Sequence, residues 1–178
     1  MVEVVVEAEA KVRVRCEDLS KIESRIESLG FRLVYSGAEE DIYYNHPCRD
    51  VLKTDEAIRV RISRAGKKVT YKGPRMGGKV KARVEYEARV DGDIEAILEH
   101  LGFKPVIVVR KSRSLYKGES AIITLDRVEG LGCFVEVESI DGSEEPVINV
   151  IRMLGLDPEV LITESYVGLI MGSRDRSL

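Results

Sequence analysis

Glu7, Glu9 and Lys11 occupy alternate positions of the run VEAEAKVRVR (6–15), followed by Arg13 and Arg15, while Val6, Ala8, Ala10, Val12 and Val14 fill the places between. Successive side chains of a strand point to opposite faces, so this spacing puts acids and bases on one face and small apolar groups on the other. The division recurs along the chain. VKARVEYEARV (80–90) sets Lys81, Arg83, Glu85, Glu87 and Arg89 against Val80, Ala82, Val84, Tyr86, Ala88 and Val90. AIRVRI (57–62) sets Arg59 and Arg61 against Ile58, Val60 and Ile62, and KVTYKG (68–73) aligns Lys68, Thr70 and Lys72. CFVEVE (133–138) aligns Phe134, Glu136 and Glu138, and AIITLD (121–126) ends on Asp126. Carboxylates are hard oxygen ligands for divalent cations, and arginine and lysine suit a polyanion. On any single strand, a solvated face with cross-strand ion pairs is the better account of the charge.

The elements that carry these faces decide between the two readings. The runs are short, rich in β-branched residues and bounded by Gly or Pro, which is the pattern of antiparallel strands. DLSKIESRIESLGF (18–31), DGDIEAILEHLGF (91–103) and EEPVINVIRMLGL (144–156) have apolar residues at helical spacing and stop at Gly30, Gly102 and Gly155. TESYVGLIM (163–171) predicts a short fourth helix. Helices would cover the apolar strand faces, leaving the charged faces together on the other side. A long antiparallel sheet that curls and closes loses its edges, and its charged faces then line the inside. Interior charge is prohibitive unless a charged ligand or water fills the space. Such a lumen would take a polyanion on its bases and divalent cations on its acids.

The whole chain has 178 residues, 44% of them hydrophobic, enough for one sizeable domain. With 28 Lys and Arg against 31 Asp and Glu, no basic surface for nucleic acid is expected. No apolar run is long enough to span a bilayer, and charge beginning at Glu3 argues against a signal peptide. Cys16, Cys48 and Cys133 are scattered and odd in number, which predicts reduced thiols and a cytoplasmic setting. The high charge content, the absence of Gln and the presence of only two Asn lean toward a heat-adapted source. IESLGFRLVYS and LEHLGFKPVIV are alike, which suggests two similar halves of strand, helix and further strands. Chance likeness of two amphipathic helices is the alternative. Either way the reading is a single domain over 1–172 with a polar tail at 173–178.

EAEAK (7–11) resembles the ExExK signature of the CYTH superfamily, the triphosphate tunnel metalloenzymes. TDEAIRVR (54–61), TYKGP (70–74), RVEYE (83–87), KSR (111–113), LDRVEGLGCFVEVE (125–138) and ESYVGLI (164–170) follow in the family's order. DIYYNHPCRD before TDEAIRVR looks most like the class IV adenylyl cyclase branch. The resemblance implies an α+β fold, a closed eight-stranded antiparallel β-barrel with helices packed outside. It implies Glu7, Glu9, Glu136 and Glu138 as metal-side carboxylates, with Asp126 and Glu85 or Glu87 close by. Lys11, Arg59, Arg61, Lys72, Lys111 and Arg113 match the phosphate-binding bases; Arg83 shares their face but could equally pair with Glu85 or Glu87. Lys11, Glu9 and Glu136 are the expected catalytic groups.

The implied cofactor is Mg2+ or Mn2+, and the implied substrate is ATP, thiamine triphosphate or inorganic triphosphate, with no nucleic acid or membrane partner and with room for a homodimer. Adenylyl cyclase is the leading expectation. A triphosphatase and a non-catalytic triphosphate or polyphosphate binder are the alternatives, the last disfavoured because binding alone needs no set of carboxylates. Outside these motifs, His100 reads as a surface residue and His46 as a residue of the cyclase-like loop, with substrate contact the less favoured of its two readings. GPRMGGK (73–79) reads as a hairpin with Lys79 a further phosphate contact, since it lacks the spacing of a Walker motif.

Overall fold

A computed structural model of the chain describes residues 5–51, 53–76 and 81–175. Lys79 lies outside them, as does the side chain of Glu7, whose backbone is described. Eight strands are present: β1 (Val5–Val14), β2 (Arg32–Asn45), β3 (Ala57–Ser63), β4 (Gly66–Lys72), β5 (Lys81–Val90), β6 (Lys104–Lys117), β7 (Ala121–Val128) and β8 (Gly132–Ser139). They close into an antiparallel barrel in the order β1-β5-β4-β3-β2-β6-β7-β8. The closing strand is β1, which pairs with β5 through Val5–Glu9 and with β8 through Glu9–Val14.

Alternation decides which way each strand faces. Ala8, Ala10 and Val12 are buried on the outer face of β1, under Ile22 and Ile26 of α1 (Leu19–Ser28) and Val147, Val150 and Ile151 of α3 (Glu144–Met153). α2 (Ile94–His100) places Leu98 over Tyr44 and Val60. α1 and α2 end at Gly30 and Gly102, whose φ of 85° and 95° are left-handed values that favour glycine.

α4 (Tyr166–Asp175) brings Tyr166 and Val167 against Ile107, Val109, Val128 and Phe134. It starts later than its sequence suggests because the Ser165 hydroxyl accepts from Gly168 N–H at 3.2 Å and caps the first turn. It also takes in 173–175, the first residues of the expected tail. The order strand, helix and three strands occurs twice, from β1 to β4 and from β5 to β8.

One expectation is overturned. Cys16 and Cys133 form a disulfide, with Cα atoms 5.2 Å apart and a sequence separation of 117, so they are not reduced thiols; Cys48 is free and exposed. Cys133 is the β8 partner of Val14, and Cys16 lies two residues beyond Val14. Strand register brings the two sulfurs together, which sequence spacing cannot reveal.

Candidate active site

The seam between β1 and β8 holds the acids. Glu9 lies across from Glu138 and Lys11 across from Glu136. Burial and the neighbouring Glu9 raise the Glu136 pKa, and burial with Glu9 pushes Glu138 up to about 7. Carboxylates that resist ionising because others crowd them are a donor set that a divalent cation relieves. These residues therefore fit the divalent cation that the sequence resemblance implies, although among the described residues no three such side chains converge as a ready-made cage. Lys11 is 1% exposed; its Nζ donates to the Glu164 carbonyl at 3.0 Å and lies 4.0 Å from Glu136. Its backbone also bridges to Ile162, so the segment before α4 is tied to β1 at this residue. The charged face leaves the lumen beyond Lys11: the Arg13 guanidinium lies over the Phe134 ring, and Arg15 pairs with Asp18.

The bases gather around two buried aspartates. Asp41 on β2 accepts from Arg61 at 2.6 and 2.9 Å and from Lys111, with Arg59 at 3.8 Å. Burial alone would raise its pKa, but Arg59, Lys111 and Arg61 together hold it well below the usual carboxylate range. Asp126 accepts from Arg113 at 2.7 and 2.5 Å and from the Tyr166 hydroxyl at 2.8 Å. Its oxygens face this fork and this hydroxyl, and the Arg113 nitrogen that meets Asp126 also reaches Glu136 at 3.3 Å. Burial, followed by Arg113, lowers Lys111 to about 8.

The remaining bases sit on β3, β4 and β5. Lys72 pairs with Glu85, and Arg59 donates to Thr70 at 3.1 Å. Glu87 pairs with Lys68 at 2.6 Å and is half-exposed, further from the acid seam than its expected role implies. Arg83 is 6% exposed, and its Nε has no hydrogen-bond partner among the described residues, so neither Glu85 nor Glu87 claims that group.

A central cavity of about 520 Å³ is lined by Glu9, Lys11, Arg59, Arg61, Lys72, Arg83, Glu85, Glu87, Lys111, Arg113, Glu136 and Glu138, so most of the expected side chains meet in one place. Asp126 is fully buried behind Arg113 and does not line it. His46 is also absent from its walls: Nδ1 accepts from Cys48 N–H at 3.1 Å and Nε2 donates to the Leu101 carbonyl at 3.3 Å, a clamp between the 46–49 turn and the end of α2.

Sequence reasoning missed Asp41, Thr124 and Tyr166, all of which line the cavity, and the buried Glu39 beside Lys111 at 3.3 Å. In the motifs quoted above, Asp41 opens DIYYN and Tyr166 stands within ESYVGLI, so the signal lay in residues already singled out for other reasons.

Comparison with known proteins gives one family. The CYTH domain pattern matches residues 6–166. A Methanocaldococcus jannaschii protein named "Putative adenylate cyclase" is 34% identical over 170 residues, which cover 90% of this chain and 97% of that protein. The structure of a Pyrococcus horikoshii protein, 35% identical, superposes with a TM-score of 0.79 over 94% of this chain and 99% of the other. At 20% identity, a Vibrio parahaemolyticus structure shares the fold with a TM-score of 0.80, covering 95% and 99% of the two chains.

Proposed function

This chain belongs to the CYTH domain family, and from that premise we propose that it is a class IV-type adenylyl cyclase converting ATP to cyclic AMP and pyrophosphate. The coarser statement, an enzyme of the triphosphate-tunnel family, is the ground on which this stands. One observation carries the reading: the central cavity sets Arg59, Arg61, Lys72, Lys111 and Arg113 within reach of the crowded Glu9, Glu136 and Glu138. The name of the M. jannaschii relative supports the cyclase over its alternatives.

The residues have distinct tasks in this reaction. Arg59, Arg61, Lys111 and Arg113 bind the phosphate chain; arginine offers a planar fork and lysine a compact charge. Asp41 and Asp126 hold those side chains in place, so less side-chain freedom is lost when substrate arrives. A divalent cation, Mg2+ or Mn2+, held by Glu9, Glu136 and Glu138 with Glu7, would neutralise phosphate charge and acidify the attacking hydroxyl. The 3′-oxygen bonds to the α-phosphorus as the bond to the α,β-bridging oxygen breaks. The hydroxyl proton passes to a carboxylate of the Glu9–Glu136 pair, and Lys11 and Lys72 offset the charge of the departing pyrophosphate.

Incubation with ATP and either metal, followed by chromatography, tests the proposal. Cyclic AMP with pyrophosphate is the expected result. ADP with phosphate would instead make the protein a triphosphatase, and intact ATP would leave a binding protein.

A further inference from the structure

Leu115 and Ile122 are the two aliphatic side chains lining the described cavity, whose walls are otherwise charged, hydroxylic or aromatic. They are neighbours. Leu115 on β6 lies directly across from Thr124 on β7, and Ile122 is two residues from Thr124 on the same strand face. The next strand brings the acids alongside, with Thr124 across from Glu136 and Ile122 across from Glu138. Thr124 is 6% exposed, yet its hydroxyl has no hydrogen-bond partner among the described residues. A buried hydroxyl without a partner is costly, and one that faces a cavity is a contact for whatever enters it.

A phosphate chain has no use for this corner. Phosphate oxygens placed against Leu115 and Ile122 would lose water and gain no donor from them. An organic group gains on both counts, burying carbon against the aliphatic side chains and finding a polar partner at Thr124. We infer that the corner formed by Leu115, Ile122 and Thr124 receives the sugar of a nucleoside triphosphate, with the Thr124 hydroxyl hydrogen-bonded to a ribose oxygen. The inference rests on the triphosphate reading above and sharpens it. The cavity selects a nucleoside triphosphate over an inorganic chain, and it orients the substrate with its sugar and α-phosphate beside Glu136 and Glu138.

Calorimetric titration with Mg2+ and two probes tests this: α,β-methylene-ATP, which cannot cyclise, and inorganic tripolyphosphate. Thr124→Val keeps the β-branched shape and removes the hydroxyl, and Leu115→Ala and Ile122→Ala remove the aliphatic wall. The expected result is a loss of about threefold to tenfold in nucleotide affinity for each variant, the worth of one neutral hydrogen bond or a few methylenes. Tripolyphosphate affinity should stay within about twofold, and thermal melts should show Thr124→Val folding as firmly as the parent. Equal losses for both probes, or no loss for the nucleotide, would overturn the corner while leaving the tunnel reading intact. A parent protein that binds neither probe would overturn both together.

Discussion

Glu138 meets Glu9 across the β1–β8 pair and feels Glu136 and Glu85 as well, and only Lys72 among its strongest neighbours favours its ionised form. Its pKa of about 7 in the folded chain lies above that of an unfolded glutamate, so folding takes up a proton between the two values. Its contribution to stability without metal should therefore be most favourable below the ordinary glutamate range. It should decline as pH rises from that range to about 7, then level off. Glu138→Gln cannot ionise, so its melting temperature should fall less steeply over this range and exceed the parent's at pH 7.5 by an amount worth on the order of 3 kcal/mol. Added Mg2+ should raise the parent at that pH and do much less for the variant. Melting curves from pH 4.5 to 8, with and without Mg2+, supply the check; a parallel slope in both proteins would show that Glu138 is not a strained acid.

At the scale of elements, the β1–β8 seam sets the register of Glu9, Lys11, Glu136 and Glu138, and the Cys16–Cys133 disulfide fastens it at one end. Joining positions 117 apart should stabilise the fold by roughly 2–4 kcal/mol, mainly by restricting the unfolded chain. Reduction with a phosphine, or Cys16→Ser with Cys133→Ser, should lower the melting temperature by about 4–16 °C for a chain of this length. An unchanged melt would mean that the bridge does not form in solution.

The sequence's legibility also varies by element. β1, β3, β5 and β8 alternate cleanly because their outer faces are apolar, and on β1 Ala8, Ala10 and Val12 are covered by α1 and α3. β2 does not. Its outer face around Ser36 and Ala38 is exposed, and Glu40 pairs there with Arg110 at 2.7 Å while Glu39 and Asp41 point inward, so polar residues occupy both faces and the period of two disappears. Asp41, the partner of three bases, was hidden for that reason. Thr124 was hidden because a lone hydroxyl in AIITLD looks like any strand residue until its missing partner is seen.

For the molecule as a whole, the question is what a closed barrel gains from a core of charge. Lys11, Asp41, Arg59, Lys72, Arg83 and Lys111 are each at most 8% exposed, and ion pairs at such depth rarely recover the cost of leaving water. Apolar residues of equal volume would stabilise the barrel more, so the cost is kept for the ligand. A polyanion meeting partly desolvated cations should bind tightly and, binding only the folded state, should raise stability by mass action. At about a hundred times its dissociation constant, tripolyphosphate with Mg2+ should add about 2.7 kcal/mol, or roughly 5–11 °C. Arg61→Ala removes a base that lies along the cavity and leaves Asp41 with Lys111 and Arg59. Its gain from the same ligand should be distinctly smaller, while Arg15→Ala, on the surface, should keep the parent's full gain. Salt separates the lumen from the surface further, since screening acts on exposed pairs far more than on enclosed ones. Melts of the three proteins, at low and moderate salt and with and without tripolyphosphate, test all of this. If the parent's melting temperature ignored the ligand, or if Arg15→Ala lost as much of the gain as Arg61→Ala, the charged interior would be water-filled scaffolding and the tunnel would have no phosphate to hold.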